Sequence, residues 1–452
     1  MSKSLYIKTF GCQMNVRDSE IIEQLLAQEG YITTDSASGA DVVLINTCSI
    51  REKAEQKVFS LLGQLREEKI KNPAMLLGVT GCVAQQEGEH IRERMPHVDL
   101  IVGTQQVYQL PEMLTRLQQG VTTREIATKL ESSFIIPPFQ KLLTTSAPLS
   151  PAFQNSRRFV TIMQGCNNFC SYCVVPGTRG REISRPMADI VEEVEILVSQ
   201  GVKEITLLGQ NVNSYGQTNA VSDSAVSFPQ LLRRVAATEG LQRLRFTTSH
   251  PKDLSEDLMR CFAEINILCP HFHLPVQSGS NSVLHRMNRK YTIESYMDKV
   301  STLRRFRPDI ALATDIIVGF PGETEADFQA TLDLLSAVRF HGSFSFKYSD
   351  RPRTPSADFD DKIPEVVKSR RLKEFQNLQD LIGLERNIEY IGQVVEVMIE
   401  DNDGDDCKGR TPTNQMVHFS NQGQLFAPGD LAMVKIDQAG KHSLKGNLYK
   451  QD

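Results

Sequence analysis

The chain has 452 residues, of which 40% are hydrophobic and 23% are charged. This length is enough for two or three globular domains, and no apolar stretch approaches the roughly 18 residues that a membrane span needs. The formal net charge of -5 argues against a protein that coats nucleic acid indiscriminately, because neutralisation of phosphates dominates that kind of binding. Binding of nucleic acid through a local basic surface stays open.

The first section, residues 1–135, alternates strand-like and helix-like patterns. Its apolar runs are typical of buried parallel strands and cover residues 5–10, 41–46, 75–80 and 98–102. Asp18 and Ser19 precede an amphipathic segment, so they predict a helix start at that point. Strands and helices that alternate in this way predict a doubly wound parallel sheet of the α/β class.

A cysteine follows three of these strands within one or two residues, at Cys12, Cys48 and Cys82. The carboxyl ends of parallel strands share one edge of an open α/β sheet, where ligands bind, so we expect the three thiols to converge. A lone cysteine in a sheet is usually a small hydrophobic residue, whereas three at equivalent points favour a set of ligands. Three cysteines late in the chain belong to no such set and are interpreted as structural: Cys261, Cys269 and Cys407.

The central section, residues 157–385, predicts an incomplete barrel of six βα units. The strand candidates, each followed by a helical stretch, cover residues 159–163, 204–208, 244–248, 272–276, 313–318 and 343–348. In such a barrel the active site lies at the carboxyl ends of the strands. Residues 136–156, which precede it, are rich in Pro, Ser and Thr and predict a linker with extended tendencies.

Three further cysteines, Cys166, Cys170 and Cys173, follow the first barrel strand in the spacing CxxxCxxC. A structural zinc takes four ligands, and this stretch offers no fourth Cys or His. Disulfides need an oxidising compartment, whereas no signal peptide precedes residues 5–7 and nine cysteines is an odd number, so we expect a reduced, cytoplasmic protein. Three thiolates on one tight loop can hold a 4Fe-4S cluster whose fourth iron stays open. The two triads therefore predict two 4Fe-4S clusters, and an open iron suggests S-adenosylmethionine as its ligand.

Five arginines bracket the CxxxCxxC loop: Arg157, Arg158, Arg179, Arg181 and Arg185. A local cluster of arginines can bind phosphates. Ordinary solvated arginines on a surface loop explain the pattern equally well, and both interpretations stay open.

The last section, residues 386–452, changes character. Residues 394–399 and 431–436 alternate as strands, and glycines mark the turns between them. The pattern predicts a small β-barrel. Barrels of this kind often bind oligonucleotides, and a structural appendage is the alternative.

With these residues in view, the whole chain resembles the radical S-adenosylmethionine methylthiotransferases. Within that family it is similar to the members that modify a prenylated adenosine in tRNA, on the basis of residues 11–15 (GCQMN) and 172–180 (YCVVPGTRG). The resemblance covers an amino-terminal methylthiotransferase domain, a radical domain and a terminal TRAM barrel, and it makes all six cysteines of the two triads catalytic. It also implies an RNA-contacting role for residues 409–411 and Asn414.

The resemblance implies contacts for S-adenosylmethionine at three strand ends. Residues 314–323 resemble the family's adenine-side strand, and residues 208–211 stand where the methionine amino group is received, although they depart from the GGE form of many radical enzymes. Residues 273–279 suit the ribose hydroxyls. The implied cofactor-binding residues are Tyr172, Gln210, Asn211, Gln277, Ser278, Asp315 and Gly319.

The reaction that the resemblance implies is insertion of a methylthio group at carbon 2 of isopentenyladenosine, next to the anticodon in the tRNA stem-loop. No side-chain base removes that unactivated hydrogen at neutral pH, so a cofactor must supply the hard step. One cluster would split S-adenosylmethionine to a radical, and the other would carry the sulfur that a second S-adenosylmethionine methylates. The implied partners are tRNA, a reducing electron donor such as a flavodoxin or ferredoxin, and a donor of sulfur or of cluster repair, with no membrane.

Other functions stay open at this point. One alternative is a methylthiotransferase whose target is a threonylcarbamoyl adenosine in tRNA or an aspartate of a ribosomal protein. A non-catalytic iron-sulfur protein that transfers electrons is the alternative from another class. It predicts four cysteines for each cluster, and the sequence offers three.

Overall fold

The computed structural model describes residues 3–48, 52–131, 134–142, 156–218 and 226–449. The chain divides into two compact units: residues 1–154, 159–167 and 173–193 form the first, and residues 155–158, 168–172 and 194–452 form the second. Most of the predicted linker, residues 143–155, lies outside the described residues. The domain boundaries set from the sequence remain predictions.

The first unit contains a sheet of six parallel strands in the order β2-β1-β3-β4-β5-β6. The strands are β1 (Lys3–Phe10), β2 (Tyr31–Thr33), β3 (Val42–Thr47), β4 (Leu76–Gly81), β5 (Leu100–Val102) and β6 (Glu125–Ala127). Every residue of β3 is buried, as expected for a central strand that is covered on both faces. The predicted parallel sheet is confirmed, and the short edge strands β2 and β6 were missed.

Helices cover both faces of this sheet. They are α1 (Gln13–Gln28), α2 (Glu52–Lys71), α3 (Cys82–Arg94) and α4 (Leu110–Gln118). On one face, Leu26 of α1 and Leu114 of α4 pack in a cluster with Leu44 of β3. On the other, Leu62 of α2 and Ile91 of α3 pack in a second cluster on the same strands. The sheet is therefore doubly wound, as the sequence predicts.

Helix α1 begins earlier than its sequence predicts. The chain turns at Gly11, where φ is +130°, and the N–H groups of Asn15 and Val16 donate to the carbonyl of Cys12 at 3.0 and 3.2 Å. The helix start predicted at Asp18 and Ser19 is therefore wrong. The carboxylate of Asp18 is buried one turn into the helix and forms an ion pair instead of a cap.

Six parallel strands form the predicted partial barrel, as two sheets with the orders β11-β10-β7 and β12-β13-β14. They are β7 (Arg157–Thr161), β10 (Glu204–Leu208), β11 (Arg243–Thr247), β12 (His271–His273), β13 (Ala311–Val318) and β14 (Gly342–Lys347). The N–H of Cys269 donates to the carbonyl of Leu244 at 2.9 Å and continues the order from β11 towards β12. A short antiparallel pair, β8 (Met163–Gln164) and β9 (Ile183–Ser184), was not predicted.

Helices alternate with these strands, as the βα pattern requires. They are α5 (Val175–Arg179), α6 (Met187–Ser199), α7 (Phe228–Ala236), α8 (Glu256–Glu264), α9 (Asn281–Arg286), α10 (Ile293–Phe306), α11 (Glu325–Val338) and α12 (Glu365–Ile388). Several start at a side-chain cap: Ser255 accepts from the N–H of Leu258, and Thr324 forms a capping box with Asp327. Among the described residues, no helix is long and apolar enough to cross a membrane.

The last section closes into a five-stranded barrel with the order β15-β16-β17-β19-β18. Its strands are β15 (Val394–Asp403), β16 (Asp406–Arg410), β17 (Met416–Ser420), β18 (Leu431–Ala439) and β19 (Ser443–Leu448). Inward residues alternate along the strands, so that Val434 and Ile436 of β18 join Val417 in the barrel core. The predicted small barrel is confirmed.

Within the second unit, this barrel lies against the amino-terminal ends of β10 and β11. Arg245 donates to the carbonyl of Thr411 at 2.9 Å, and Arg243 donates to the carbonyl of Arg410 at 2.7 Å. Glu204 holds Arg245 in place from the neighbouring strand at 3.1 Å. Because the barrel occupies the amino-terminal edge, the carboxyl ends of these strands are left for a site, where such barrels place their chemistry.

Candidate active site

The first cysteine triad lies along one edge of the doubly wound sheet. Cys12 comes two residues after β1, and Cys48 and Cys82 come directly after β3 and β4, and these three strands are consecutive in the sheet order β1-β3-β4. The order reverses between β1 and β3, and this switch point is where open α/β sheets bind ligands. The structure thus brings the three predicted residues to one edge, with Cys48 and Cys82 buried and Cys12 partly exposed.

Two glycines let the strand ends approach each other at this edge. Gly11 has φ +130°, and a Cβ there would lie 2.4 Å from the Cβ of Cys48. Gly81 has φ +88°, and a Cβ there would lie 2.4 Å from Oδ1 of Asn46. Any side chain at either position would push the cysteine-bearing turns apart, since φ is positive at both and the space is already filled.

The surroundings of the triad favour a thiolate at Cys12. A hydrogen bond with Cys48 and the nearby charge of Arg179 outweigh the effect of burial and together lower the pKa of Cys12 to about 6. Burial raises the pKa of Cys82, while the charge and a hydrogen bond of Arg179 oppose that rise. Thiolates are the form of cysteine that binds metals. The lowered pKa therefore favours the ligand form of Cys12, whereas at Cys82 only Arg179 opposes the effect of burial.

A buried polar network supports the triad. The Sγ of Cys12 lies 3.2 Å from Oδ1 of Asn15, to which only the protonated thiol can donate, and Nδ2 of Asn15 donates to Oδ1 of Asn46 at 3.0 Å. The hydroxyls of Thr47 and Thr80 are buried on the same strand ends and have no hydrogen-bond partner among the described residues. Buried polar atoms without partners are costly, so these hydroxyls fit a site that holds a further group.

The second triad lies on the loop that follows β8. Gly165 has φ +82°, and a Cβ there would lie 2.1 Å from the carbonyl oxygen of Arg181, so only glycine fits at the entry of the loop. The N–H of Cys166 donates to the carbonyl of Gly180 at 3.3 Å. Cys170 is buried, and Cys166 and Cys173 are partly exposed. Among the described residues, no group of three Cys, His, Asp or Glu side chains is close enough together to hold one metal ion.

Cys170 has two buried nitrogen groups beside it that the sequence did not reveal. The guanidinium of Arg289 donates to its Sγ at 3.6 Å and to the carbonyl of Pro275 at 2.6 Å. Nε2 of His250 lies 4.0 Å from the same sulfur. Burial, reinforced by the charge of Arg289, holds the pKa of His250 far below its usual range, so this imidazole is neutral.

The predicted methionine-side residues lie at the carboxyl ends of β10 and β11. Asn211 is buried, and its Nδ2 donates to Asp253 at 2.7 Å, whereas its Oδ1 has no partner among the described residues. The same is true of Oδ1 of Asn213 and Oγ of Ser249. Three unpartnered oxygens at neighbouring strand ends fit a bound amino group, which needs acceptors. Gln210 stands beside them and is partly exposed.

The predicted ribose-side residues, Gln277 and Ser278, both form hydrogen bonds within the protein. Gln277 has φ +75°, and its N–H donates to the carbonyl of Asp315 at 2.8 Å. The hydroxyl of Ser278 accepts from the N–H of Ser280 at 3.2 Å, so it already serves the turn before α9. Because the Ser278 hydroxyl is already used within the protein, Gln277 is the better candidate of the two for contact with a ligand.

The predicted adenine-side residues divide in the same way. Oδ1 of Asp315 lies 2.9 Å from Nε2 of His273 on the neighbouring strand, and both side chains are partly open. The N–H of Gly319 donates to Oε1 of Glu323 at 2.9 Å and closes a local turn. Tyr172 packs against a hydrophobic cluster that includes Phe320 and Tyr348. The open groups at this strand end are therefore those of Asp315 and His273.

The arginines that bracket the cysteine loop are mostly not a phosphate-binding surface. Arg179 is paired with Asp18 at 2.6 Å and Arg185 with Glu193 at 2.6 Å, and both are buried. Arg157 pairs with Glu204 at 2.9 Å. The further members are Arg158, which is buried, and Arg181, which is exposed. Both sequence interpretations are wrong for the buried arginines, because acidic partners distant in sequence, such as Asp18, cannot be recognised from the local pattern.

Three family descriptions match successive parts of the chain. Residues 4–103 match "Uncharacterized protein family UPF0004", residues 160–335 match the radical SAM superfamily, and residues 389–449 match the TRAM domain. The first match contains the sheet with Cys12, Cys48 and Cys82. The second contains Cys166, Cys170 and Cys173, and the third covers the five-stranded barrel.

A curated relative from Desulfotalea psychrophila, a tRNA-2-methylthio-N(6)-dimethylallyladenosine synthase, is 57% identical over 452 residues and is matched over 99% of both chains. This chain belongs to that synthase family. Synthases of the same name from Geobacter sulfurreducens and Clostridium botulinum are 48% and 45% identical, over 99% and 98% of this chain and 98% and 96% of their own. The resemblance inferred from the motifs, including its prenyladenosine branch, is confirmed.

Solved structures confirm the fold. A radical S-adenosylmethionine methyltransferase, TsrM, from Kitasatospora setae with cobalamin and a 4Fe-4S cluster bound has a TM-score of 0.56 at 15% identity, with 79% of this chain and 77% of that chain covered. The cobalamin-dependent S-adenosylmethionine radical enzyme OxsB has a TM-score of 0.54 at 12% identity, with 83% and 56% covered. At these identities the likeness concerns the architecture that the synthase family shares with other radical enzymes.

Proposed function

We propose that this protein adds a methylthio group to carbon 2 of N6-dimethylallyladenosine beside the anticodon of tRNA. It is a radical S-adenosylmethionine tRNA methylthiotransferase, with two 4Fe-4S clusters and S-adenosylmethionine as its cofactors. One observation carries the assignment of residues: one cysteine triad stands at three strand ends of the doubly wound sheet, and the other stands on the single loop between β8 and α5. Each triad leaves a fourth position on its cluster for a group that is not protein.

Cys12, Cys48 and Cys82 would hold the auxiliary cluster. The lowered pKa of Cys12, to about 6, supplies one thiolate near neutral pH. The unpartnered hydroxyls of Thr47 and Thr80 lie beside the other two strand ends. Hydrogen bonds from the protein to cluster ligands orient them and set their basicity, so the role of this network is to hold the triad in one arrangement.

Cys166, Cys170 and Cys173 would hold the radical cluster. Arg289 and the neutral His250 fill the space beside Cys170 and keep water from its sulfur. The acceptors of Asn211, Asn213 and Ser249 would receive the amino group of S-adenosylmethionine, because that group is a cation with three N–H donors. We propose Asp315 and Gln277 as the further contacts.

When bound, the clusters supply an electron and a sulfur atom, and S-adenosylmethionine supplies the radical and the methyl group. The protein's own contribution is to align the reactants. Orientation of this kind is worth roughly 7 to 11 kcal/mol in well-aligned reactions. Cys12, Cys48 and Cys82 lie within two residues of a strand end, and the loop that carries Cys166, Cys170 and Cys173 is held between β8 and α5.

The names of the relatives favour the prenylated adenosine over the alternative substrates. A threonylcarbamoyl adenosine or a protein aspartate is the substrate of no relative described above. Electron transfer as the sole function is not favoured, because each proposed cluster has three cysteine ligands where such a protein needs four. In addition, the oxygens of Asn211, Asn213 and Ser249 can accept hydrogen bonds from a small molecule.

We further propose the partners and the compartment of the reaction. tRNA is the substrate. The radical cluster requires a reducing donor such as a flavodoxin or a ferredoxin, and the auxiliary cluster requires a donor that replaces its sulfur. The cytoplasm suits a protein whose two cysteine triads are cluster ligands, because its redox poise keeps thiols reduced.

The direct test is anaerobic reconstitution with iron and sulfide, followed by reaction with tRNA that carries the prenyl group and lacks the methylthio group. Mass analysis of the nucleosides should show the methylthio product, and 5'-deoxyadenosine should form with it. A mass gain on ribosomal protein instead, or on threonylcarbamoyl adenosine, would assign the protein to another substrate.

A further inference from the structure

Arg179 is a buried arginine whose side chain reaches the auxiliary triad. It lies six residues after Cys173, within the first compact unit that also holds Cys12, Cys48 and Cys82. Its guanidinium forms a hydrogen bond with Cys82, and its charge acts on both Cys82 and Cys12. Arg179 ends α5, and α5 packs against α3, which begins at Cys82, so the packing of these helices places Arg179 beside the first triad.

The position of Arg179 is fixed from both sides. Its Nη2 donates to Oδ2 of Asp18 at 2.6 Å, and its Nη1 lies 3.4 Å from Oδ1 of the same carboxylate. The residues on each side are also tied down: Thr104 donates to the carbonyl of Thr178 at 2.6 Å, and the carbonyl of Gly180 accepts from Cys166 at 3.3 Å. The guanidinium therefore cannot swing away from the cysteines without breaking several buried contacts.

The ion pair with Asp18 does not use all the donors of Arg179. A guanidinium has five N–H donors in a fixed fork, and a carboxylate takes two of them. The remaining donors are oriented by the same fork, and the hydrogen bond to Cys82 is made by this remainder. Lysine has one ammonium group and no fork, so it cannot satisfy Asp18 and a cysteine with the same fixed geometry.

We propose that Arg179 is a positioning residue of the auxiliary cluster, which donates to the sulfur of Cys82 and raises the reduction potential of the cluster, with Asp18 as the counter-charge that limits the effect. The proposal rests on the proposed assignment of Cys12, Cys48 and Cys82 as cluster ligands. Hydrogen bonds to cluster sulfurs and the net charge nearby are among the quantities that set such potentials. Reduction adds negative charge, so a buried cation favours the reduced state.

This account predicts opposite effects for the two members of the pair. Arg179→Gln removes the cation, so the auxiliary cluster should become harder to reduce. Asp18→Asn keeps the cation and removes its counter-charge, so the cluster should become easier to reduce. A merely structural role predicts loss of stability in both variants and no such difference in sign.

The experiment measures the potential of the auxiliary cluster alone, in the full-length chain with Cys166, Cys170 and Cys173 changed to Ala. Electron paramagnetic resonance follows the reduced fraction against solution potential under anaerobic conditions. We expect Arg179→Gln to lower the ratio of reduced to oxidised cluster about tenfold at a fixed potential, which is about 59 mV for a one-electron couple. We expect Asp18→Asn to raise the ratio, and Arg179→Lys to fall between Arg179→Gln and the parent.

Arg185→Gln is the matched control, because Arg185 is equally buried and pairs with Glu193 at 2.6 Å. It should cost stability and leave the ratio within about twofold of the parent. The double variant Asp18→Asn with Arg179→Gln removes both charges, so it keeps the proposal testable if a single variant fails to fold. It should shift the ratio less than Arg179→Gln alone.

The outcomes separate this proposal from the assignment of the ligands. Failure of the parent to bind about four irons would contradict the auxiliary site itself. A parent that binds its cluster normally, with Arg179→Gln unchanged or matched by Arg185→Gln, would overturn the role of Arg179 alone. Shifts of the same sign in Arg179→Gln and Asp18→Asn would overturn it as well.

Discussion

The guanidinium of Arg245 donates to the carbonyl of Thr411 at 2.9 Å and so joins the partial barrel to the terminal five-stranded barrel. A second donor of Arg245 reaches the carbonyl of Pro412 at 2.9 Å, and Glu204 orients the guanidinium from the next strand at 3.1 Å. The junction is buried and polar. The terminal barrel is therefore part of the second compact unit and not a loosely tethered RNA-binding module.

Breaking this junction should destabilise the protein. In Arg245→Gln the buried carboxylate of Glu204 loses one of its two cationic partners, and loss of a partner in a buried pair costs about 3–5 kcal/mol. Urea unfolding should show the change as a lower midpoint. Arg233→Gln is the matched control, since its pairs with Asp257 and Glu264 are exposed and should contribute at most about 1 kcal/mol. Similar midpoints for the two variants would contradict the structural role of the junction.

The two triads should lose iron independently. After anaerobic reconstitution we expect about eight irons per chain, and about four after Cys12, Cys48 and Cys82 are all changed to Ala. That variant should still form 5'-deoxyadenosine while making no methylthio product. Cys261→Ala should keep the full iron content, because this cysteine donates to the carbonyl of Asp257 inside a helix. If the Cys261 variant lost iron as well, the division into two triads would be wrong.

Stability should fall as the solution becomes acidic, in part through His341. Burial, with the charges of Arg386 and Arg304, lowers the pKa of His341 from 6.5 to about 4. Between pH 6.5 and about 4, His341 therefore binds a proton in the unfolded chain but not in the folded chain. The contribution of the neutral imidazole to the free energy of unfolding is present above pH 6.5 and is lost as the pH falls from 6.5 to about 4. The slope should be about 1.4 kcal/mol per pH unit in that window.

The check on His341 compares urea unfolding at several pH values in this window. His341→Gln removes the titrating group and should flatten the dependence by that slope. His442→Gln is the control, because the His442 side chain is 80% exposed. Equal slopes for the parent and for His341→Gln would mean that the imidazole does not stay neutral in the fold.

The prenyl group of the substrate should control the rate. Burial of its five carbons at about 0.8 kcal/mol per methylene contributes up to roughly 3–4 kcal/mol, which is a preference of about a hundredfold or more. Phe169 on the cysteine loop is 40% exposed and is our candidate for part of that contact. Single-turnover rates on one tRNA with and without the prenyl group should differ by about this factor, and Phe169→Ala should narrow the difference.

Leu425→Ala provides the comparison for Phe169, since Leu425 is 96% exposed in a turn of the terminal barrel. It should leave the preference for prenylated tRNA intact. Equal rates of the parent on both tRNAs would remove the prenyl group as a determinant of specificity.

Much of the fold could be predicted from the sequence because its strands are buried on both faces. Val42–Thr47 is such a run, and it carries Cys48 to the edge of the sheet without ambiguity. Edge strands such as Tyr31–Thr33 are short and half exposed, so they give no apolar run to recognise. In the terminal barrel, β16 and β19 contain charged and small residues that hide the alternation.

The site was predictable as far as the cysteines and no further. Cysteine spacing survives as a local pattern, whereas the contact between Arg289 and Cys170 joins residues 119 positions apart. The wrong helix start at Asp18 has the same cause. A buried carboxylate that pairs across the fold and a capping carboxylate look alike in sequence, and only the packing around Arg179 distinguishes them.

The terminal barrel offers two kinds of acceptor at its junction: the main-chain carbonyls of Arg410, Thr411 and Pro412, and the carboxylates of Glu396 and Asp430, which pair with Arg243 and Lys203. A carbonyl is present whatever the side chain, so the first kind of contact depends on the course of the backbone, whereas the second depends on residue identity. The turn at Asn414, with φ +71°, is where that course is set. Substitutions on the outer surface of the barrel therefore leave the three carbonyl contacts in place, whereas a change at Glu396 or Asp430 removes an ion pair from the junction.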